Sequence, residues 1–140
     1  MQIIFLYEEE RYKIFSEDVV INWINRAVSE ENKKIGEINF QFCSEEKILE
    51  INKQFLNHNY LTDIITFDTS LVNIINCDIF ISFDTVFTNS QKFKTNFREE
   101  LYRVIIHGVM HSCGYKDYSE EQKKLMRKKE DHFLSYLEKL

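Results

Sequence analysis

The stretch "GEINFQFC", Gly36–Cys43, sets Ile38, Phe40 and Phe42 in alternation with Glu37, Asn39 and Gln41. A period of two separates these residues by polarity and a period of 3.6 does not, so the stretch reads as a strand with one buried face. The chain on either side reads as helix. Ser16, Glu17 and Asp18 cap a helix running to about Lys34, with Val20, Ile24, Ala27 and Val28 on one face. Ser44, Glu45 and Glu46 open a second helix that reaches about Phe55. Further out, "QIIFLY" (2–7) has the composition of a strand buried on both faces. "TDIITFD" (62–68) and "CDIFIS" (77–82) are rich in β-branched and aromatic residues and read as two more strands. Helices follow over Asp84–Phe93 and Arg98–Cys113. Ser119 and Gln122 form a capping box that starts the last helix, with Leu125, Met126, Phe133, Tyr136 and Leu137 on its apolar side. The order β-α-β-α-β-β-α-α-α predicts an α+β fold in a single domain, residues 1–140. It has a mixed sheet of about four strands with about five helices packed against it. Strand order is not readable from this pattern.

Composition supports a packed domain and narrows its setting. The chain of 140 residues is 44% hydrophobic and 29% charged, long enough to bury a core without staples. Its start has no basic segment of the kind a secretory leader carries, and no apolar run approaches the ~18–20 residues of a membrane span. The three cysteines, Cys43, Cys77 and Cys113, are scattered and odd in number, which predicts reduced thiols and a cytoplasmic protein. The net charge of −5 is unevenly spread. Residues 1–90 sum to −8 and residues 91–129 to +5, so an acidic chain carries one basic segment. Such a segment suits phosphate binding, or it is lysine on solvated helix faces.

Within that basic segment lies "HGVMHSCGYKD", His107–Asp117, holding two of the four histidines. At a spacing of four on a helix, His107 and His111 share one face. The rest of the helix is apolar except for the stripe holding Glu100, His107 and His111, and such a stripe is usually aimed at something. Two core histidines satisfied by carbonyls are the plainer alternative. Gly114 weighs against it, because a glycine three residues past His111 can end the helix in a left-handed turn and bring Asp117 back. The spacing His-x3-His-x2-Gly-x2-Asp is that of the metzincin zinc signature, with Asp117 as third ligand. A His2Asp set leaves a fourth position open for water, the arrangement of a catalytic zinc. The general-base glutamate of a zinc protease would stand at position 108, which is Gly108, so peptide hydrolysis by that route is disfavoured.

These residues resemble the YbeY family of bacterial rRNA maturation factors. The family signature H-G-x-L-H-L-x-G-Y-D-H is met by His107, Gly108, His111, Gly114 and Tyr115. Met110 and Ser112 replace the leucines, Lys116 the aspartate and Asp117 the last histidine. N-x-x-[FY]-R followed by T-D-V-L-S-F is echoed by Asn52–Phe55 and Thr62–Phe67, and G-D-I-x-I-S by Cys77–Ser82. The family arginine after the aromatic falls on Leu56, leaving His58, Lys92, Lys94, Arg98, Arg103 and Lys116 as candidate replacements.

The resemblance implies a zinc-dependent single-strand endoribonuclease acting in rRNA maturation, such as 3′-end processing of 16S rRNA, and in ribosome quality control. It implies one Zn2+ per chain on His107, His111 and Asp117, with another divalent ion open. A zinc-bound water, its pKa lowered toward ~7, would attack the phosphodiester. Thr62, Asp63, Ser82, Arg103 and Lys116 would border the substrate, and Glu100 would stand behind the ligands. Asp63 and Asp78 read equally well as strand-start residues. His58 reads as a loop residue and His132 as solvent-facing, and Lys123, Lys124, Arg127, Lys128 and Lys129 form a basic run that reads as a solvated face, with contact to RNA or a ribosomal partner as the alternative. Expected partners are precursor rRNA and the ribosome or small-subunit proteins, with no DNA and no membrane. Two rivals stay open: a non-catalytic ribosome-assembly factor with a structural metal, and a zinc hydrolase of another substrate.

Overall fold

A computed structural model describes residues 1–58 and 61–137. The strands are β1 (Gln2–Tyr7), β2 (Lys34–Cys43), β3 (Ile64–Asp68) and β4 (Ile74–Ser82). The helices are α1 (Glu17–Glu30), α2 (Glu45–Leu56), α3 (Phe83–Lys92), α4 (Phe97–Ser112) and α5 (Glu120–Leu134). The sheet order is β1-β2-β4-β3. β1, β2 and β4 run parallel, and β3 pairs antiparallel with β4 along the outer edge.

The alternation in β2 sorts its two faces. Ile38, Phe40 and Phe42 are fully buried, and from β4 Ile75, Cys77, Ile79 and Ile81 join the same core. Against this face pack α1 and α4, with α3 beside α4, while α2 covers Ile65 on the other face. Helix α5 docks chiefly on α4, one layer away from the sheet.

Three elements differ from the sequence reading. β1 is an edge strand rather than one buried on both faces, with Leu6 half exposed. Its aromatic content serves one side only, where Phe5 stacks on Phe40 at 5.2 Å. Helix α1 ends at Glu30 because Asn32 takes a left-handed turn (φ 60°) and Lys34 already belongs to β2. β4 begins at Ile74, three residues early, since Ile74 and Ile75 continue the pairing with β2 through Lys34 and Ile35.

Candidate metal centre

Helix α4 carries the two histidines and is held on both sides. Its N-terminus is capped by Asn96, whose Oδ1 accepts the Glu99 N–H at 3.2 Å. Leu101, Val104, Ile105, Ile106, Val109 and Met110 are buried around it. Gly108 lies on the sheet side: a Cβ there would stand 2.9 Å from Ile64 Cδ1 and 3.1 Å from Ile79 Cδ1. The position that carries the glutamate in zinc proteases is therefore occupied by close helix-to-sheet contact. His107 and His111 lie on the neighbouring stripe of the helix, their Nε2 atoms 3.0 Å apart.

The helix ends in a Schellman motif. Gly114 N–H donates to His111 O at 3.0 Å and Tyr115 N–H to Met110 O at 3.1 Å, with Gly114 at φ 109°. The chain reverses there and returns Asp117, whose Oδ2 lies 3.3 Å from both Nε2 atoms. The three donor atoms form a triangle with edges of 3.0, 3.3 and 3.3 Å. Three corners of a tetrahedron with bonds of 2.0–2.1 Å to its centre are separated by about 3.3 Å, so the trio fits a zinc-sized ion. The donor chemistry agrees. His111 Nδ1 faces the Tyr115 carbonyl at 2.9 Å, which can only accept, so the Nδ1 carries the proton and Nε2 is a lone pair. With both imidazoles neutral and protonated on Nδ1, two Nε2 lone pairs and a carboxylate oxygen at such distances repel unless a cation lies among them.

His107 Nδ1 meets Glu130 Oε2 at 2.6 Å. Burial pulls the His107 imidazole down, but the hydrogen bond and charge of Glu130, with Asp117 and Asp63 behind, outweigh it and hold its pKa above the ordinary value. Glu130 is buried on α5. Its Oε1 accepts from Arg103 Nη1 at 3.0 Å, while Arg103 Nη2 reaches Asp131 at 2.8 Å. The turn after α4 is tied down separately. Tyr115 Oη donates to Glu31 at 2.5 Å, and Lys129 Nζ meets the same carboxylate at 2.8 Å.

The residues expected at the substrate divide. Asp63 lines a pocket shared by His107, Glu100, Arg103, Arg127 and Glu130. Burial raises its pKa, partly offset by the neighbouring His107. Lys116 is exposed beside Asp117. Ser82 is fully buried; its hydroxyl caps α3 through Thr85 N–H at 3.4 Å and pairs with the Thr85 hydroxyl at 2.7 Å. Thr62 spends its hydroxyl on the Ile64 carbonyl at 3.4 Å. Arg103 is engaged by two carboxylates rather than offered to a phosphate. Glu100 sits on the pocket wall, bonded to Thr95 at 3.3 Å, and the carboxylate that meets His107 is Glu130. Glu130 had a signal in the sequence: it falls in step with Met126, Phe133 and Leu134 on the buried stripe of α5, where an acid demands a partner. Arg127, which the sequence pattern sets with its neighbouring lysines on a solvated face, lines the pocket and forms no ion pair among the described residues.

A family model described as Endoribonuclease YbeY matches residues 5–138. The chain belongs to the YbeY family. A relative from Flavobacterium psychrophilum, named Endoribonuclease YbeY, is 51% identical over 94% of this chain and 94% of its own. One of the same name from Parabacteroides distasonis is 43% identical over 98% of this chain and 96% of its own. The solution structure of TM1509 from Thermotoga maritima superposes with a TM-score of 0.71 at 26% identity, covering 96% of this chain and 87% of that one. No described helix is long and apolar enough to cross a membrane.

Proposed function

We propose that this YbeY-family chain is a zinc-dependent endoribonuclease that cleaves single-stranded precursor rRNA in the cytoplasm, on the ribosome or its small-subunit intermediates. The observation that carries the reading is the triangle of donor atoms from His107, His111 and Asp117 in a member of an endoribonuclease family. A divalent ion held there would lower the pKa of water and offset the charge gathering on a phosphodiester. The chain's own residues supply the rest. Glu130 and the Tyr115 carbonyl hold the imidazoles with their Nε2 atoms facing inward. Asp63, on the pocket wall, is placed to exchange a proton with a substrate oxygen. Arg127 and Lys116 provide positive charge for the phosphates, and Arg127 takes the part of the family arginine that Leu56 lacks. Ser82 acts only through the backbone, its N–H donating to the Asp63 carbonyl at 2.9 Å, and Thr62 through its bond to the Ile64 carbonyl. The domain responsible is the whole chain, 1–140.

The test is elemental analysis of untagged protein followed by cleavage of single-stranded rRNA. About one zinc per wild-type chain, largely lost in Asp117→Ala, with cleavage lost in His111→Ala, is expected. Metal that ignores Asp117 would sink the ligand assignment. A second reading is favoured by the engagement of Arg103 with Glu130 and Asp131: an assembly factor whose metal is structural. It predicts that His111→Ala unfolds the chain while wild type cleaves nothing.

A further inference from the structure

We propose that Glu130 is the positioning residue of the histidine pair: it accepts the Nδ1 proton of His107, thereby turns the Nε2 lone pair toward His111 and Asp117, and is itself held in place by Arg103. The proposal rests on the reading of His107 as a metal ligand.

A neutral imidazole carries one N–H, and in water histidine favours the tautomer with that proton on Nε2. Here that tautomer would put a hydrogen inside the donor triangle and close it to a cation. Each histidine of α4 must therefore be held in the other form, and the structure provides two different means. His111 faces a backbone carbonyl, delivered by the Gly114 turn. His107 faces a carboxylate at 2.6 Å, at the short end for a nitrogen–oxygen hydrogen bond, the side to which a charged acceptor draws it.

That carboxylate is built in rather than incidental. Glu130 is only 5% exposed and occupies a position on the buried stripe of α5, where an unpaired charge would be costly. Both of its oxygens are used: Oε2 by His107 and Oε1 by Arg103. Arg103 stands one turn before His107 on α4, so a single helix presents both the imidazole and the cation that neutralises its acceptor. The guanidinium also grips Asp131, and the fork across residues 130 and 131 fixes α5 against α4. Helix α5 reaches the core chiefly through α4, so its docking is what brings a carboxylate to the histidine pair. Partners of this kind behind a ligating histidine commonly change metal affinity by 10–100-fold when removed.

Two measurements test it on the full chain. The first is long-range 1H–15N spectroscopy of metal-free protein in alkaline buffer, where the imidazoles are neutral. The expectation is protonated Nδ1 at both His107 and His111 in wild type, with His107 alone reverting to protonated Nε2 in Glu130→Ala. A wild-type His107 protonated on Nε2 overturns the proposal, whatever the variants do. The second is competition of Zn2+ against a chromophoric chelator. Zinc affinity is expected to fall by about 10–100-fold in Glu130→Ala. It should fall less in Glu130→Gln, whose amide oxygen still accepts, and should also fall in Arg103→Met. Affinities within twofold of wild type in all three overturn the proposal. A wild type that binds no zinc refutes the ligand reading instead, and the tautomer spectra still decide whether Glu130 orients His107.

Discussion

Replacing Gly114 by alanine tests whether the turn beyond α4 builds the site. The glycine sits at φ 109°, and a Cβ built there meets nothing within 4 Å, so any cost comes from the backbone and none from a clash. An L-residue with positive φ pays about 1–2 kcal/mol, rising toward ~3 in the sparsely populated regions. A stiffer unfolded chain returns about 0.4–1 kcal/mol. The net expectation is a loss of roughly 1–2 kcal/mol in urea unfolding of the metal-free chain, with an unchanged slope. If the alanine instead relaxes to negative φ, the bonds from Gly114 to His111 and from Tyr115 to Met110 are lost. The Tyr115 carbonyl and Asp117 then move away from the histidines. Zinc affinity should therefore fall at least tenfold, within the ~10–100-fold range seen when such supports are removed. Stability within about 0.3 kcal/mol of wild type together with unchanged zinc affinity would refute the reasoning, since a turn that tolerates alanine is not the device that delivers Asp117.

The opposite substitution has the opposite sign at Lys94, an exposed lysine held at φ 57° just past α3: Lys94→Gly should gain about 0.5–1 kcal/mol in thermal or urea unfolding. In the metal-free chain the raised pKa of His107 stabilises the fold, fully below the unfolded value of about 6.5 and progressively less as pH climbs through the folded value. The wild-type advantage in Tm over His107→Gln should therefore shrink from pH 6 to pH 9, and an advantage that grows with pH would contradict the assignment. Arg127→Gln should weaken binding of a single-stranded oligoribonucleotide and cut the salt slope of log K by about 0.7, the share of one phosphate contact, while metal content stays the same. An unchanged slope in fluorescence anisotropy would remove Arg127 from the substrate path.

Much of this arrangement was legible because it is local. The alternation of Ile38, Phe40 and Phe42 depends only on strand geometry, and the box of Ser119 and Gln122 only on the first turn of a helix. Both stand in the structure. The path from His111 through Gly114 to Asp117 is likewise written within seven residues, and the structure brings the trio together. What was not legible depends on distant pairing. Nothing in β1 announces that its second face would stay partly open at Leu6, because an apolar run looks the same whether one face or two are covered. Ser82 resembles a cleft residue until α3 is seen to begin right after it. Arg103 and Glu130 are separated by 27 residues and make sense only once α5 lies on α4. An isolated arginine in a basic segment looks like a phosphate ligand, and only the tertiary structure shows that its charge is already matched.

The departures from the family signature at positions 116 and 117 make physical sense together. The family pair is Asp-His and this chain has Lys-Asp, so the carboxylate has shifted into the ligand position and a lysine has taken its former place. An aspartate ligand leaves a divalent site with one positive charge fewer than three histidines would, which is unfavourable for a site that must hold an RNA phosphate. The lysine restores that charge from next door, and the sum over the pair moves from −1 to 0. Glu130 does not disturb the balance, because Arg103 cancels it within 3.0 Å. The two positions should then be coupled. Lys116→Asp alone should weaken RNA binding, and adding Asp117→His should recover much of the loss while keeping the metal. A double variant binding RNA no better than Lys116→Asp alone would show that the two changes are independent, and that the charge of the third ligand is not what Lys116 answers.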